Sequence, residues 1–285
     1  MLVRSLILLV LNGLCLSAVS QASTAQNSDS LVSWQGMFSQ GGLVIGTLVN
    51  DRIKEVKAVK RTLEVTPSGK FAIGLGRDFP ETLSVTFVLL DESTVVKTYP
   101  IKKRDYNIQK VEGVPKRTVT PDPEHIKRIQ KEAALVKKSR SNTTNETHYL
   151  NDFSWPAKGL ISGVYGSQRF YNGKPGRPHY GLDIAAPEGS PVTAPNGGVV
   201  VLAEPDLFYS GGTVIVDHGD GVSSSFLHMS KVLVSVGDRV ESGTLIGEVG
   251  STGRATGAHL DWRMNWFDQR IDPRLLMKES VPPKK

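Results

Sequence analysis

Cysteine occurs once in 285 residues, at position 15, inside an apolar stretch at the start of the chain. The sequence has no long apolar run beyond that stretch. Ser5 to Leu16 is itself shorter than the roughly 20 residues needed to span a bilayer. A basic Arg4, a short apolar core and the small residues Ser20 and Ala22 form instead the pattern of a secretory signal, with cleavage expected after Ala22. Removal of that segment takes the only cysteine with it. The mature chain then has no disulfide even in an oxidising compartment, and its stability rests on core packing, helped by any metal it binds. Dense Lys/Arg clusters interleaved with aromatics are also missing, which argues against nucleic acid as a partner. The formal charge is +6, or +5 once Arg4 is removed, and suits attraction to a polyanionic surface such as a cell wall.

Glycine (28 residues) and proline (16) are plentiful and punctuate short apolar runs, a β-rich pattern. Over residues 31–114 the runs include Leu43-Val-Ile45, Lys70-Phe-Ala-Ile73 and Leu83 to Val88. In the last of these Leu83, Val85 and Phe87 alternate with polar positions and share one face of a strand. Pro67-Ser-Gly69 marks a turn. This region is expected to be a small β-sandwich, and it holds no His, Cys or carboxylate cluster. Residues 115–149 are expected to be a linker. Within it Ile126, Ile129, Ala133 and Val136 recur at helical spacing over Glu124 to Lys138, among many basic residues. Residues 150–278 return to a Gly-rich, strand-like composition and are expected to form an antiparallel sheet domain. The overall class is therefore mainly β. Val236 to Gly247 is similar to hairpins of lipoyl- and biotin-carrier barrels, but no lysine sits at its tip.

Four of the six histidines fall in the C-terminal region. His179 and Asp183 are four apart, and His259 and Asp261 are two apart. The glycines and prolines around the first pair disfavour a helix. If both segments are extended, each pair lies on one face. Imidazole nitrogens and carboxylate oxygens are good zinc ligands, and a catalytic zinc keeps three protein ligands with a further position open.

These motifs resemble the lysostaphin/LytM-like peptidoglycan metallopeptidases, peptidase family M23. That family carries His-x-x-x-Asp, then a loop like Phe226-Leu-His-Met-Ser230, then His-x-His. Here Gly253-Arg-Ala-Thr-Gly-Ala-His-Leu-Asp-Trp262 occupies the last position, and the resemblance runs from about Phe153 to Pro273. The resemblance implies a zinc peptidase in which His179 and Asp183 bind Zn²⁺ and His228 and His259 form the catalytic pair beside it. It implies peptidoglycan peptide stems as substrate, hydrolysis of D,D cross-links and a periplasmic location. Asp261 stands where the family has its third ligand, a histidine. It is expected to bind zinc through oxygen; the alternative is a salt bridge to Arg263. A set of one His and two Asp leaves the zinc site formally neutral, where the usual set leaves it +1, so a water on the ion is expected to be less acidic. The changed ligand also keeps open a second function. Some relatives have lost the metal and activate cell-wall amidases.

Overall fold

Short apolar runs separated by turns build the N-terminal sheets. The computed structural model describes residues 31–141 and 143–278, apart from the side chain of residue 117. The expected signal segment, its cleavage site after Ala22 and Cys15 lie outside the described residues. Eight strands come first: β1 (Val32–Gly36), β2 (Leu43–Leu48), β3 (Ile53–Ala58), β4 (Arg61–Leu63), β5 (Lys70–Gly74), β6 (Thr82–Leu89), β7 (Thr94–Pro100) and β8 (Ile108–Val111). They form two antiparallel sheets, β1-β2-β5 and β4-β3-β6-β7, with β8 left for a partner further along the chain. In β6, Leu83, Val85 and Phe87 are buried while Thr82 and Ser84 face solvent, as the alternation predicts.

Two helices follow, α1 (Lys116–Val119) and α2 (Pro123–Ser141). Helix α2 is mostly exposed. Ile129 and Val136 are half-buried on its inner face together with Glu132 and Arg140, and Ser139 is buried. Ile126 and Ala133, grouped with them by spacing, are exposed by residue area. The inner face is thus narrower and more polar than the apolar spacing suggests, because Glu132, Ser139 and Arg140 make polar contacts there.

The remaining strands are β9 (Leu160–Gly163), β10 (Gln168–Tyr171), β11 (Lys174–Pro175), β12 (Leu182–Ala185), β13 (Pro191–Thr193), β14 (Gly198–Leu207) and β15 (Gly211–Gly219). They continue with β16 (Val222–Met229), β17 (Lys231–Val232), β18 (Arg239–Val240), β19 (Leu245–Glu248), β20 (His259–Trp266) and β21 (Gln269–Ile271). The principal sheet has the order β18-β14-β15-β16-β20-β12-β9, with β21 also paired to β20. Its central strands are buried along their length, and Phe226, Trp262 and Trp266 are fully enclosed. Burying a side chain such as Phe226 contributes roughly 1.5–3 kcal/mol.

The N-terminal sheets and this sheet share one apolar core, which joins Phe71, Ile73 and Phe87 to Trp262 and Trp266. Strand β8 pairs in parallel with β10, so the backbone ladder itself crosses from one region to the other. Arg104 reinforces the junction through Asp272 at 2.8 Å. The Ala72 N–H also donates to Asp220 Oδ2 at 3.1 Å, in the turn between β15 and β16.

Candidate metal centre

Register, more than sequence spacing, assembles the site. Strands β12 and β20 are antiparallel neighbours that place Asp183 directly opposite Asp261 and Ala185 opposite His259. Residues opposite one another project on the same face of a sheet, so the two carboxylates share a face. His259 and Asp261 lie on β20 two residues apart, as expected for an extended segment.

The expectation that His179 also lies on a strand differs from the structure. His179 sits in the irregular segment before β12, just after Pro178 and ahead of a bend at Gly181. Its backbone is held from a different direction: its N–H donates to Ser167 O at 2.8 Å, and its carbonyl accepts from Gly166 N–H at 2.7 Å. The ring still reaches Asp183, with Nε2 3.1 Å from Oδ1. A side chain at Gly181 would collide with the site, since a Cβ there would lie 2.5 Å from Asp261 Oδ1 and 2.6 Å from the Arg263 side chain. Gly163 is likewise required, because a Cβ there would overlap the Asp183 carboxylate and the Arg169 guanidinium.

His179, Asp183 and Asp261 each present a donor atom, and the three atoms lie within 4.8 Å of one another. All three residues are buried. Neither ring nitrogen of His179 nor Oδ1 of Asp183 has a hydrogen-bond partner. The 3.1 Å approach of His179 Nε2 to Asp183 Oδ1 is therefore close but misaligned for a hydrogen bond. Buried polar atoms left unpaired are costly, and lone-pair donors converging on one point suit a divalent cation.

His228 and His259 complete the ring around these donors. Their ring centroids are 4.8 Å apart. His228 Nε2 lies 4.0 Å from Asp261 Oδ2, and His259 Nε2 lies 3.9 Å from Asp183 Oδ1. Each Nδ1 is 2.8 Å from a backbone carbonyl, of Thr252 for His228 and Gly257 for His259. A carbonyl can only accept, so Nδ1 carries the proton in the neutral ring and Nε2 turns its lone pair toward the site. Burial lowers the His228 pKa to about 4, against an opposing pull from Asp261, so this ring is neutral at pH 7. His228 also holds a left-handed backbone (φ +67°), uncommon for a non-glycine residue. His218 is different: Gly197 O at 2.6 Å and Ser224 Oγ at 2.8 Å occupy both its ring nitrogens, away from this cluster.

Two arginines counterbalance the facing carboxylates. Arg263 grips Asp261 through three contacts: Nε to Oδ1 at 3.0 Å, Nε to Oδ2 at 3.1 Å and Nη2 to Oδ2 at 2.5 Å. Arg169, from β10, bonds Asp183 Oδ2. Burial works to raise both carboxyl pKa values. Arg263 outweighs it at Asp261, and His179 with Arg169 outweighs it at Asp183, so both stay below the ordinary carboxylate range. Arg263 was foreseeable as a residue two positions from Asp261 on the same strand face. Arg169 was not, because it reaches the site only through the long-range arrangement of β10.

A cavity of about 500 Å³ opens on one side of this cluster, past His179, His228 and Asp261. A second of about 230 Å³ opens on the other, past Asp183 and His259, walled partly by Ala255 to Ala258 of the Gly-rich loop. Helix α2 forms one wall of the larger cavity through Ile129, Glu132 and Val136. Glu132 Oε2 pins the helix there by accepting from Phe208 N–H at 2.7 Å.

Residues 177–273 match the family model described as Peptidase family M23. Over 105 residues the chain is 40% identical to the peptidoglycan DD-endopeptidase ShyA of Vibrio cholerae, covering 37% of this chain and 24% of that protein. Over 97 residues it is 39% identical to the DD-carboxypeptidase/endopeptidase Mpg of Neisseria meningitidis, covering 34% of this chain and 22% of that protein. The matched stretch thus spans about a quarter of the length of these relatives. A crystal structure of a Pseudomonas aeruginosa protein assigned to M23 superposes with a TM-score of 0.66 at 26% identity, over 84% of this chain and 94% of that one. Coverage of that extent is wider than the stretch that the family model matches.

Proposed function

We propose, for a chain whose residues 177–273 are a domain of peptidase family M23, that it is a zinc-dependent endopeptidase hydrolysing the peptide cross-links of bacterial peptidoglycan. The observation that carries this reading is the convergence of His179, Asp183 and Asp261, with unpartnered donor atoms on the first two. D,D specificity is proposed from the names of the relatives ShyA and Mpg. A periplasmic location accompanies it. Residues 31–114, 115–149 and 150–278 are proposed as sandwich, linker and catalytic regions.

His179, Asp183 and Asp261 would hold the ion. When bound, it supplies Lewis acidity toward a scissile carbonyl and the attacking water. The protein's own residues then have separable tasks. The unprotonated Nε2 of His228 or His259 takes a proton from that water and returns it to the departing amine. The other imidazole orients the carbonyl oxygen as charge develops on it. The Thr252 and Gly257 carbonyls fix the tautomer and aim of both rings. Arg169 and Arg263 keep both carboxylates ionised and stationary.

The grip of Arg263 on Asp261 favours one other reading. A guanidinium can stand in for a cation, which suits a metal-free protein that regulates cell-wall amidases. Purified full-length chain, digested with cross-linked muropeptides and assayed for bound metal, separates the two. Cleavage that disappears with chelator and in Asp183→Asn supports the peptidase. Metal-free protein that cleaves nothing and stimulates an amidase supports the regulator.

A further inference from the structure

Guanidinium groups outnumber carboxylates around the two cavities. Arg169 and Arg263 are matched one to one with Asp183 and Asp261. Arg254 and Arg270 line the same larger cavity but, among the described residues, have no carboxylate within ion-pair distance. The Arg254 guanidinium makes one long hydrogen bond, from Nη1 to Thr118 O at 3.4 Å. Its Cζ is held 4.3 Å from the Tyr171 ring centroid and 4.9 Å from that of Tyr209. Arg270 Nη1 donates only to the neutral Asn265 Oδ1, at 3.0 Å. Burial lowers the pKa of Arg254, and Arg263 and Arg169 add repulsion. Burial and then Arg263 lower Arg270 to about 10. Both shifts run in the direction expected of desolvated cations short of counter-charge.

Position adds to charge. Arg254, Tyr171 and His228 line both cavities, so Arg254 stands where a chain passing from one to the other must cross. A guanidinium held by aromatic rings keeps its N–H edge for a planar, two-oxygen acceptor, and a carboxylate matches that fork. We propose that Arg254, supported by Arg270, forms a carboxylate-binding subsite that selects peptides bearing a free carboxylate next to the bond at the metal-ligand cluster. The subsite rests on the peptidase reading for its placement beside a scissile bond, but its recognition of an anion is separable from cleavage.

The test uses a cross-linked tetrapeptide dimer from peptidoglycan with its carboxylates free, and the same dimer with them converted to primary amides. Calorimetric binding and cleavage are measured on the full chain and on Arg254→Gln and Arg254→Lys, each first checked for a native thermal melt. A lost charge-assisted hydrogen bond corresponds to about tenfold or more in affinity. The native protein should prefer the acid by that factor in Kd and KM. Arg254→Gln should bring the ratio close to one, and Arg254→Lys should retain part of it. Arg270→Gln should narrow the same ratio, which keeps the test decisive if Arg254→Gln does not fold. Equal handling of both dimers by the native protein, a ratio that survives Arg254→Gln, or no binding of either dimer overturns the subsite. Acid-selective binding without any cleavage sustains the subsite and removes the peptidase reading.

Discussion

Replacing Arg263 with alanine leaves Asp261, 1% exposed, opposite Asp183 with its main counter-charge gone. Removing one partner of a buried ion pair typically costs 3–5 kcal/mol, because the remaining charge is uncompensated. For a chain of this size that corresponds to roughly 6–20 °C in Tm. Arg263 holds both oxygens of Asp261, so if Asp261 is a metal ligand the deletion should also free its carboxylate for the ion. Metal-free Arg263→Ala should therefore melt well below metal-free native protein. Saturating zinc should raise the variant more than the native chain, since a ligand at about 1,000 times its Kd adds roughly 4 kcal/mol. Differential scanning calorimetry of both proteins, with chelator and with zinc, reads the full cycle. A variant as stable as the native protein without metal would mean that Asp261 does not depend on Arg263. A large loss that zinc does not relieve more in the variant would mean that Asp261 does not face the ion.

Other consequences follow from the same geometry. His228→Ala and His259→Ala should each retain bound metal while losing roughly 10²–10⁴-fold in muropeptide cleavage; concurrent loss of metal would make them ligands instead. Glu132→Ala removes the acceptor that pins α2 at Phe208 and should increase the rate on cross-linked peptides, measured by chromatographic release of monomers. An unchanged rate would show that the helix does not limit access. Burial raises the Asp220 pKa from 3.8 to about 7, with Glu64 adding to it and the Ala72 hydrogen bond opposing. The folded chain then holds a proton that the unfolded chain releases, so this contribution is complete below pH 4 and lost as pH rises through 7. Asp220→Asn should match the native protein near pH 4 and exceed its stability at pH 8 by up to about 4 kcal/mol, read from denaturant midpoints. A gain that is equal at both pH values would refute the assignment.

Spacing made the shared strand faces legible, while the candidate roles of the site residues came from the family resemblance. His259 and Asp261 share a face because they alternate on a strand, and Leu83, Val85 and Phe87 are buried for the same reason. The facing of Asp183 and Asp261 was not legible, since it depends on the register of two strands nearly 80 residues apart. Arg169 escaped notice because it belongs to no short motif with the metal-ligand candidates; Arg254 lies within the Gly253 to Trp262 segment, but its spacing from His259 and Asp261 assigns it no role. One arrives from β10, the other from a Gly-rich loop, and only the folded arrangement brings them to the same cavity. His179 reaches Asp183 from an irregular segment, so even spacing on a strand does not account for its position. The expected division into sandwich, linker and sheet rests on composition. The continuous core and the β8–β10 ladder between them arise from packing that composition does not record.

Zinc stoichiometry of the purified full-length chain, compared with Asp261→Ala by equilibrium dialysis and elemental analysis, tests the three-residue centre most directly. One ion per native chain, with affinity sharply reduced in the variant, is the expected result. An unchanged stoichiometry and affinity in Asp261→Ala, or no zinc bound by the folded native chain, would contradict it.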